Sequence, residues 1–434
     1  MVSYLLIIAL SLFVMVLIVD VVNYSVLFIF FRQFRQQEWT TPQNDYVPKT
    51  LVCLALRGAD PFLKQHVEGL LTQDYPDYTI RFIVDDQKDP ALSVIREVIQ
   101  RLDAKHTEIT IVKEYFETCA LKCNSLYRAL QTVDLTYEVI AFLDADTNPH
   151  SQWLRQLVEP LSDSRFAATT GQRWFCPEKS NTGSIVRKLW MAACLVLFYS
   201  QRLIWGGSFA IRRETLFQSG IMEQWKTVLT EDIPLSMTLA KFGYKTAVIP
   251  DLIMVNRETC TLLSFYRWAT RQTLYGKLYH TTWFLNIFIG IIGVVPILLG
   301  MILTFLGVAN LVTENNVGNN YYIGNYYVVL LSMATILVYC GGAVGAAYFL
   351  EREIRIKLKK RNEQLPSWSF KNVIQTLLII PVTQFVYLLT IFRLFFLDRV
   401  EWRGVEYAVQ SDKSVRLIEY RPYRETSTTN THSL

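Results

Sequence analysis

Val139-Ile140-Ala141-Phe142-Leu143-Asp144-Ala145-Asp146 is an apolar run of five residues that breaks abruptly into two carboxylates. So short a run suits a strand buried on both faces, the kind found in parallel sheets, better than a helix. The run at 78–84 ends in the same way, in Asp85-Asp86. Short apolar runs at 50–56, 109–112 and 167–170 read as further strands, and amphipathic stretches at 61–71, 91–102, 120–133 and 152–161 as helices alternating with them. Such alternation predicts an α/β domain whose largely parallel sheet carries helices on both faces, with ligands bound outside the carboxyl ends of the strands. The carboxylates fall at those ends. The sequence shows no internal repeat and no Walker-type or GxGxxG phosphate loop.

An Asp-x-Asp after a buried strand suits a hard divalent cation, which takes one or two carboxylates and fills its remaining positions with substrate phosphates and water. The plainer reading is a polar turn capping the strand. Thr230-Glu231-Asp232 opens the amphipathic stretch 233–242, where an acidic residue routinely caps a helix. Arg267-Trp268 abuts an apolar stretch and reads equally well as an aromatic and basic belt at a membrane surface. Lys122 reads as a solvated helical lysine, although a reach to a diphosphate is open to it, and Gln172-Arg173-Trp174 follows the fifth strand. His66, His106, His150 and His280 show no metal-ligand spacing and are expected at the surface. Seven cysteines make no disulfide framework in so long a chain, and Cys119 and Cys123 lack a second Cys/His pair, so buried reduced thiols are expected instead of a zinc site.

Working outward, 51% of the 434 residues are apolar and 19% charged, and the net charge is only +5. That balance excludes a disordered chain and carries no nucleic-acid footprint; it predicts an integral, multi-pass membrane protein. Residues 4–31 are long enough to span a bilayer and lack the short apolar core and cleavage site of a signal peptide, so 1–32 is read as a retained transmembrane anchor. Arg32 and Arg35 follow it and put the domain at 33–282 in the cytosol. Three more apolar stretches, 283–312, 326–350 and 373–397, make 283–398 a membrane region with a basic cytosolic loop at 351–361, while Glu314 and the absence of Lys or Arg put the loop at 313–325 outside. A full crossing by 373–397 would strand the basic tail at 399–434 outside. Pro381 offers a break that lets the segment re-enter, or the segment lies in the interface, and a cytosolic tail is preferred. The apolar stretch 185–205, with basic residues near its ends, reads as an interfacial helix.

The order of the pieces is more specific than any one of them. An Asp pair after a strand, then DAD, then Gly206-Gly207-Ser208-Phe209-Ala210-Ile211-Arg212-Arg213, then TED, then Arg267-Trp268 and membrane helices resembles the membrane-bound family 2-type glycosyltransferases of GT-A (Rossmann-like) fold, within them the ceramide glucosyltransferase-like group. Val400-Glu401-Trp402-Arg403-Gly404-Val405-Glu406-Tyr407 looks like the WRGxxY tail of bacterial relatives. The resemblance implies a cytosolic GT-A domain between N-terminal and C-terminal transmembrane helices. It also implies inverting transfer of a hexose, glucose first, from a UDP-sugar to a membrane lipid hydroxyl of ceramide or diacylglycerol type. Asp85 or Asp86, with Asp144, would contact the nucleotide; Asp146 would hold Mg²⁺ or Mn²⁺ on the diphosphate; Asp232 would be the general base. Arg267 and Trp268 carry over from the family's (Q/R)xxRW motif, whose first position is here Ser264. A processive polysaccharide synthase of cellulose, chitin or hyaluronan type is the alternative, and the incomplete motif and small number of membrane stretches count against it.

Overall fold

The computed structural model describes residues 2–39, 46–177, 180–313, 319–410 and 412–423. Glu314, used above to orient a loop, and the last eleven residues of the tail lie outside them. The run 139–143 is a strand with every residue buried. It is one of seven in a single sheet: β1 (Thr50–Leu56), β2 (Tyr78–Val84), β3 (Thr107–Ile111), β4 (Val139–Leu143), β5 (Phe166–Phe175), β6 (Ser208–Arg212) and β7 (Lys245–Asn256), in the spatial order β3-β2-β1-β4-β6-β5-β7. The first four are parallel. β6 runs antiparallel to both β4 and β5, and β7 lies parallel to β5, so the sheet is largely parallel as expected, with the single strand β6 reversed. The cause lies in Gly206-Gly207, which turns the chain so that Ser208 pairs with Leu143 and Phe209 stacks on Phe142, ring centroids 4.4 Å apart.

Alternation along the strands builds two cores. Leu51, Cys53 and Ile83 face one side with Leu126 and Trp225, whereas Val52, Leu54, Phe82 and Val84 face the other with Val67, Ile95 and Trp153. Both faces are apolar because both are covered, and a fully buried side chain of this kind contributes about 1.5–3 kcal/mol. In chain order the helices are α1 (Val2–Arg35), α2 (Leu63–Leu71), α3 (Ala91–Arg101), α4 (Leu121–Leu130), α5 (Trp153–Val158), α6 (Thr182–Ser200), α7 (Arg213–Gln218), α8 (Ile221–Gln224), α9 (Asp232–Lys241), α10 (Leu262–Tyr279), α11 (Trp283–Thr313), α12 (Asn319–Lys359) and α13 (Phe370–Arg393).

Five of these, α1, α6, α11, α12 and α13, are long and apolar enough to cross a membrane, against four stretches expected, because α6 also qualifies by length and composition. α1 lies along α12, where Gly342 lets the helices approach: a Cβ there would stand 2.7 Å from the Asp20 carboxylate, and the Gly342 carbonyl accepts from Tyr24 Oη at 2.9 Å. The break foreseen at Pro381 is absent. The proline sits inside an unbroken α13, whose adjoining Ile379 and Ile380 are buried among Val186 and Phe265 on one side and Val16, Ile297 and Tyr339 on the other. Packing on both sides outweighs the one helical hydrogen bond that proline removes.

After α13 the chain forms an antiparallel meander of β8 (Arg399–Trp402), β9 (Val405–Val409) and β10 (Val415–Glu419). Arg403 and Gly404 make the two-residue turn between β8 and β9 with φ of 48° and 78°, the left-handed pair such a hairpin needs and the reason a glycine follows the arginine. This meander lies on the sheet's strand ends. Arg403 forks onto both oxygens of Asp60 at 2.8 Å and Arg57 Nε donates to the Arg403 carbonyl at 3.0 Å. Tyr407 Oη accepts from the Leu121 amide at 3.0 Å, at the start of α4. Arg403→Ala should leave the half-buried Asp60 without its cation and cost up to about 3 kcal/mol. The expected outcome is a lowered melting midpoint and faster trypsin cleavage at the Arg and Lys residues from Arg399 onward.

Candidate active site

β4 ends where its apolar residues end, so Asp144 and Asp146 emerge at the sheet's edge. Neither carboxylate stands alone. Lys122, in the first turn of α4, donates from Nζ to Asp144 Oδ1 at 2.6 Å and also to Glu231, while Arg173 of β5 donates to Asp146 Oδ2 at 2.6 Å. Arg173 is held flat among aromatic faces, its guanidinium 4.6 Å from the Phe175 ring, 5.3 Å from Trp205 and 5.8 Å from Trp268. The reading of Lys122 as a solvated helical residue is corrected: its ammonium is a bridge between two acidic motifs 87 residues apart in the chain. Burial pushes the Asp144 carboxyl up and Glu231 up to about 7. Burial also pulls Lys122 down, but its two carboxylates prevail and hold it well above its usual value.

The Thr-Glu-Asp motif opens α9, and Pro234 two residues on is tolerated because it lies in the first turn. Asp232 is the first residue of α9, one past the N-cap Glu231, and it lines the cavity. Its Oδ1 accepts from Thr230 Oγ1 and the Ile233 amide, each at 2.8 Å, and its Oδ2 accepts from the Gly206 amide at 2.9 Å. Gly206 must be a glycine for this: a Cβ would collide with Glu231 Oε1 and stand 3.0 Å from Asp232 Oδ2. Gly207 in turn brings its carbonyl to the Asp144 amide at 3.2 Å. The two glycines thus lock the acidic motifs together.

At the end of β2, Asp85 is buried and ion-paired with Arg57, which follows β1. Burial pushes its carboxyl up, with Arg57 pulling the other way. Asp86 parts from it: it is half-buried, accepts from the Lys88 amide at 2.8 Å and does not line the cavity. Asp89, unnoticed in the sequence, is buried and accepts from the amides of Gly58 and Ala91. On α10, Trp268 lines the cavity whereas Arg267 is exposed and does not; Arg271, one turn on, does. His66 is buried, not at the surface: its Nδ1–H donates to the Thr147 carbonyl, and burial pushes its pKa down to about 4, so it is neutral at pH 7. The seven cysteines are free thiols, six of them buried and Cys194 half-buried.

These groups line one cavity of about 640 Å³. Its polar end carries Asp85, Asp144, Asp146, Glu231 and Asp232; its other end runs between α6, α11 and α13, past Leu189, Cys194, Ile287, Gly290 and Tyr387. Among the described residues no group of three His, Cys, Asp or Glu side chains could hold a metal. A cation held by only one or two carboxylates and by substrate phosphates still fits, because Asp146 Oδ1 is a buried hard oxygen without a hydrogen-bond partner beside Asp144. Arg57 and Asp60 were missed as lone residues in the sequence, and Arg403 was noted there only as part of the WRGxxY-like stretch. Their signal was position, since Arg57 follows β1 as Asp85 follows β2.

Comparison with known proteins adds the following. The family model described as Glycosyl transferase family 21 matches residues 12–415. A solved mannosyltransferase from Pyrobaculum calidifontis, PcManGT, in complex with GDP-Man and Mn²⁺, is similar at 15% identity over 89% of this chain and 99% of its own, with a TM-score of 0.47. Glucosyl-3-phosphoglycerate synthase of Mycobacterium tuberculosis is 14% identical over 51% of this chain and 76% of its own, with a TM-score of 0.35. GalNAc-T7 with UDP, GalNAc and Mn²⁺ is 14% identical over 55% of each chain, with a TM-score of 0.38.

Removing the bridging ammonium tests the electrostatics. Lys122→Met leaves Asp144 and Glu231 without their cation and should cost roughly 3 kcal/mol at pH 8. Glu231 is already raised to about 7 by burial, and the loss of Lys122 raises it further, so below that range it takes up a proton and sheds the unpaired charge. The melting midpoint should therefore fall more at pH 8 than at pH 6.

Proposed function

We propose, since the chain belongs to glycosyl transferase family 21, that it transfers a hexose, glucose by the resemblance of its motifs, from a cytosolic UDP-sugar to the hydroxyl of a membrane lipid of ceramide or diacylglycerol type. The observation that carries this reading is the continuity of the cavity: acidic and basic at the strand ends, apolar between helices that are long enough to cross a bilayer. A water-soluble donor and an oily acceptor thus have one meeting place.

Asp232 takes the acceptor's proton as its oxygen attacks the anomeric carbon. A carboxylate offers about four lone-pair sites, and three are used by Thr230, Ile233 and Gly206, which fix the group and leave one on Oδ2 for the acceptor hydroxyl. One base opposite the leaving group gives a single displacement with inversion. Asp146 would hold Mg²⁺ or Mn²⁺, which when bound neutralises charge developing on the departing diphosphate, and Asp144 beside it would contact the nucleotide. Asp85 contacts the nucleotide at the end of β2, with Arg57 keeping its carboxylate charged in a buried place.

The topology we propose has three crossings, α1, α11 and α12, with α13 lying along the interface. Both ends of α13 are held from the catalytic side: Trp368 lies under Lys188, 5.0 Å from its ammonium, and the Leu394 carbonyl accepts from Lys277 Nζ at 2.7 Å. The meander that follows lies on the strand ends. A cytosolic catalytic domain, a cytosolic loop at 351–361 and a cytosolic tail then agree with one another and with the positive-inside tendency.

Asp232→Asn keeps the hydrogen-bonding shape but cannot take a proton, so glycolipid formation should drop by about 10²- to 10⁴-fold with UDP-sugar affinity nearly unchanged. A purely structural cap predicts retained turnover, because Asn caps almost as well. Excess EDTA should abolish transfer, and Asp146→Asn should weaken Mn²⁺-dependent donor binding; full turnover in EDTA refutes the metal assignment. Chromatography of products from purified protein, a UDP-sugar panel and total lipid extract should give one sugar on an extractable lipid, and a polymer would refute the acceptor.

A further inference from the structure

We propose that Arg271, not Arg267, grips the diphosphate of the nucleotide donor; the proposal rests on the donor named above and assigns a contact that its motif places elsewhere. Trp268, Arg271 and Tyr275 recur at three- and four-residue spacing on α10 and all line the cavity. Arg267 sits off that face, exposed.

The decisive observation is charge pairing. Arg57 is paired with Asp85, Lys122 with Asp144 and Glu231, Arg173 with Asp146, and Arg403 with Asp60. Arg271 is the one Lys or Arg of the cavity that makes no carboxylate pair among the described residues; its contact is the face of Trp402, 5.8 Å away, in the meander that closes over the strand ends. Burial pulls its pKa below the usual arginine range; the Tyr275 phenol opposes this, and the nearby Arg403 and Arg173 pull the same way as burial. A guanidinium does not escape by losing its proton at any physiological pH, so a half-buried one in a cavity wall, without a carboxylate, is placed to take an anion. Its planar fork matches two phosphate oxygens at once, which an ammonium does not. The carboxylates that already neutralise the other cations leave Arg271 as the group whose charge a diphosphate can satisfy without first breaking an internal pair.

The test is binding of UDP and of UMP to the full-length protein in detergent with Mn²⁺, by calorimetry. Arg271→Met should weaken UDP by roughly ten- to a hundredfold, the range expected for charged hydrogen bonds, and UMP by much less. Arg271→Lys, which keeps the charge without the fork, should fall between. The melting midpoint of Arg271→Met without nucleotide should hold or rise, because an uncompensated charge has been removed, whereas a structural arginine would lower it. An Arg267→Met protein that loses as much UDP affinity as Arg271→Met, or more, overturns the assignment, and so does an Arg271→Met protein that loses UDP and UMP equally or loses neither. Arg271-dependent UDP binding in a native protein that transfers no sugar would support this assignment and overturn the proposed function. Native transfer with UDP affinity unmoved by Arg271→Met would do the reverse.

Discussion

Carboxylates gathered in a poorly hydrated crevice repel one another, and the whole cavity depends on how that repulsion is answered. Lys122 answers it for two motifs at once. Because its ammonium touches both Asp144 and Glu231, the end of β4 and the start of α9 are held at a fixed separation. Arg173 does the same for Asp146 from β5, braced by three aromatic faces that let a guanidinium lie in a largely apolar wall. Single-partner removal in such a network is costlier than the pairs are worth, since what remains is an unpaired buried charge.

The same constraint explains the backbone around it. Carboxylates that must meet need a chain that does not intervene, and Gly206-Gly207 supplies the thinnest backbone at the crossing, donating to Asp232 and accepting at Asp144. That turn is also what sends β6 back antiparallel between β4 and β5. Local chemistry and sheet topology are here one decision.

Much of the fold was legible because it rests on period and punctuation. The runs at 50–56, 78–84 and 139–143 are strands with those bounds, because a continuous apolar run ending in a charge has one reading when both faces are covered. The acidic residues at their ends were legible for the same reason. Three-dimensional facts were not. β6 was visible only as a glycine-rich motif, since nothing in Ser208–Arg212 announces an antiparallel partner, and β5 extends through Phe175 because β7, itself unforeseen, pairs along its length with a shift after Thr170. Lys122 and Arg57 carry no pattern, and the motif around Arg403 does not say what it faces: a cation becomes part of a site only through what the fold sets opposite it. Pro381 misled because its intrinsic cost is local, whereas the packing that overrides it comes from other helices, α12, α11 and the distant α1.

The meander after α13 also imposes an order in time. Arg403 and Arg57 are 346 residues apart, yet each binds the other's carbonyl. At a synthesis rate of about 5–20 residues per second, roughly 20–70 s separate their emergence from the ribosome. Throughout that interval the sheet's leading edge has Asp60 and Arg57 but not the strands that will cover them, and the crevice stands open on one flank. A nascent chain that has made the sheet and α13 but not the meander is thus a fold without a roof, and the strands made after α13 are the ones that decide when the site becomes a closed chamber.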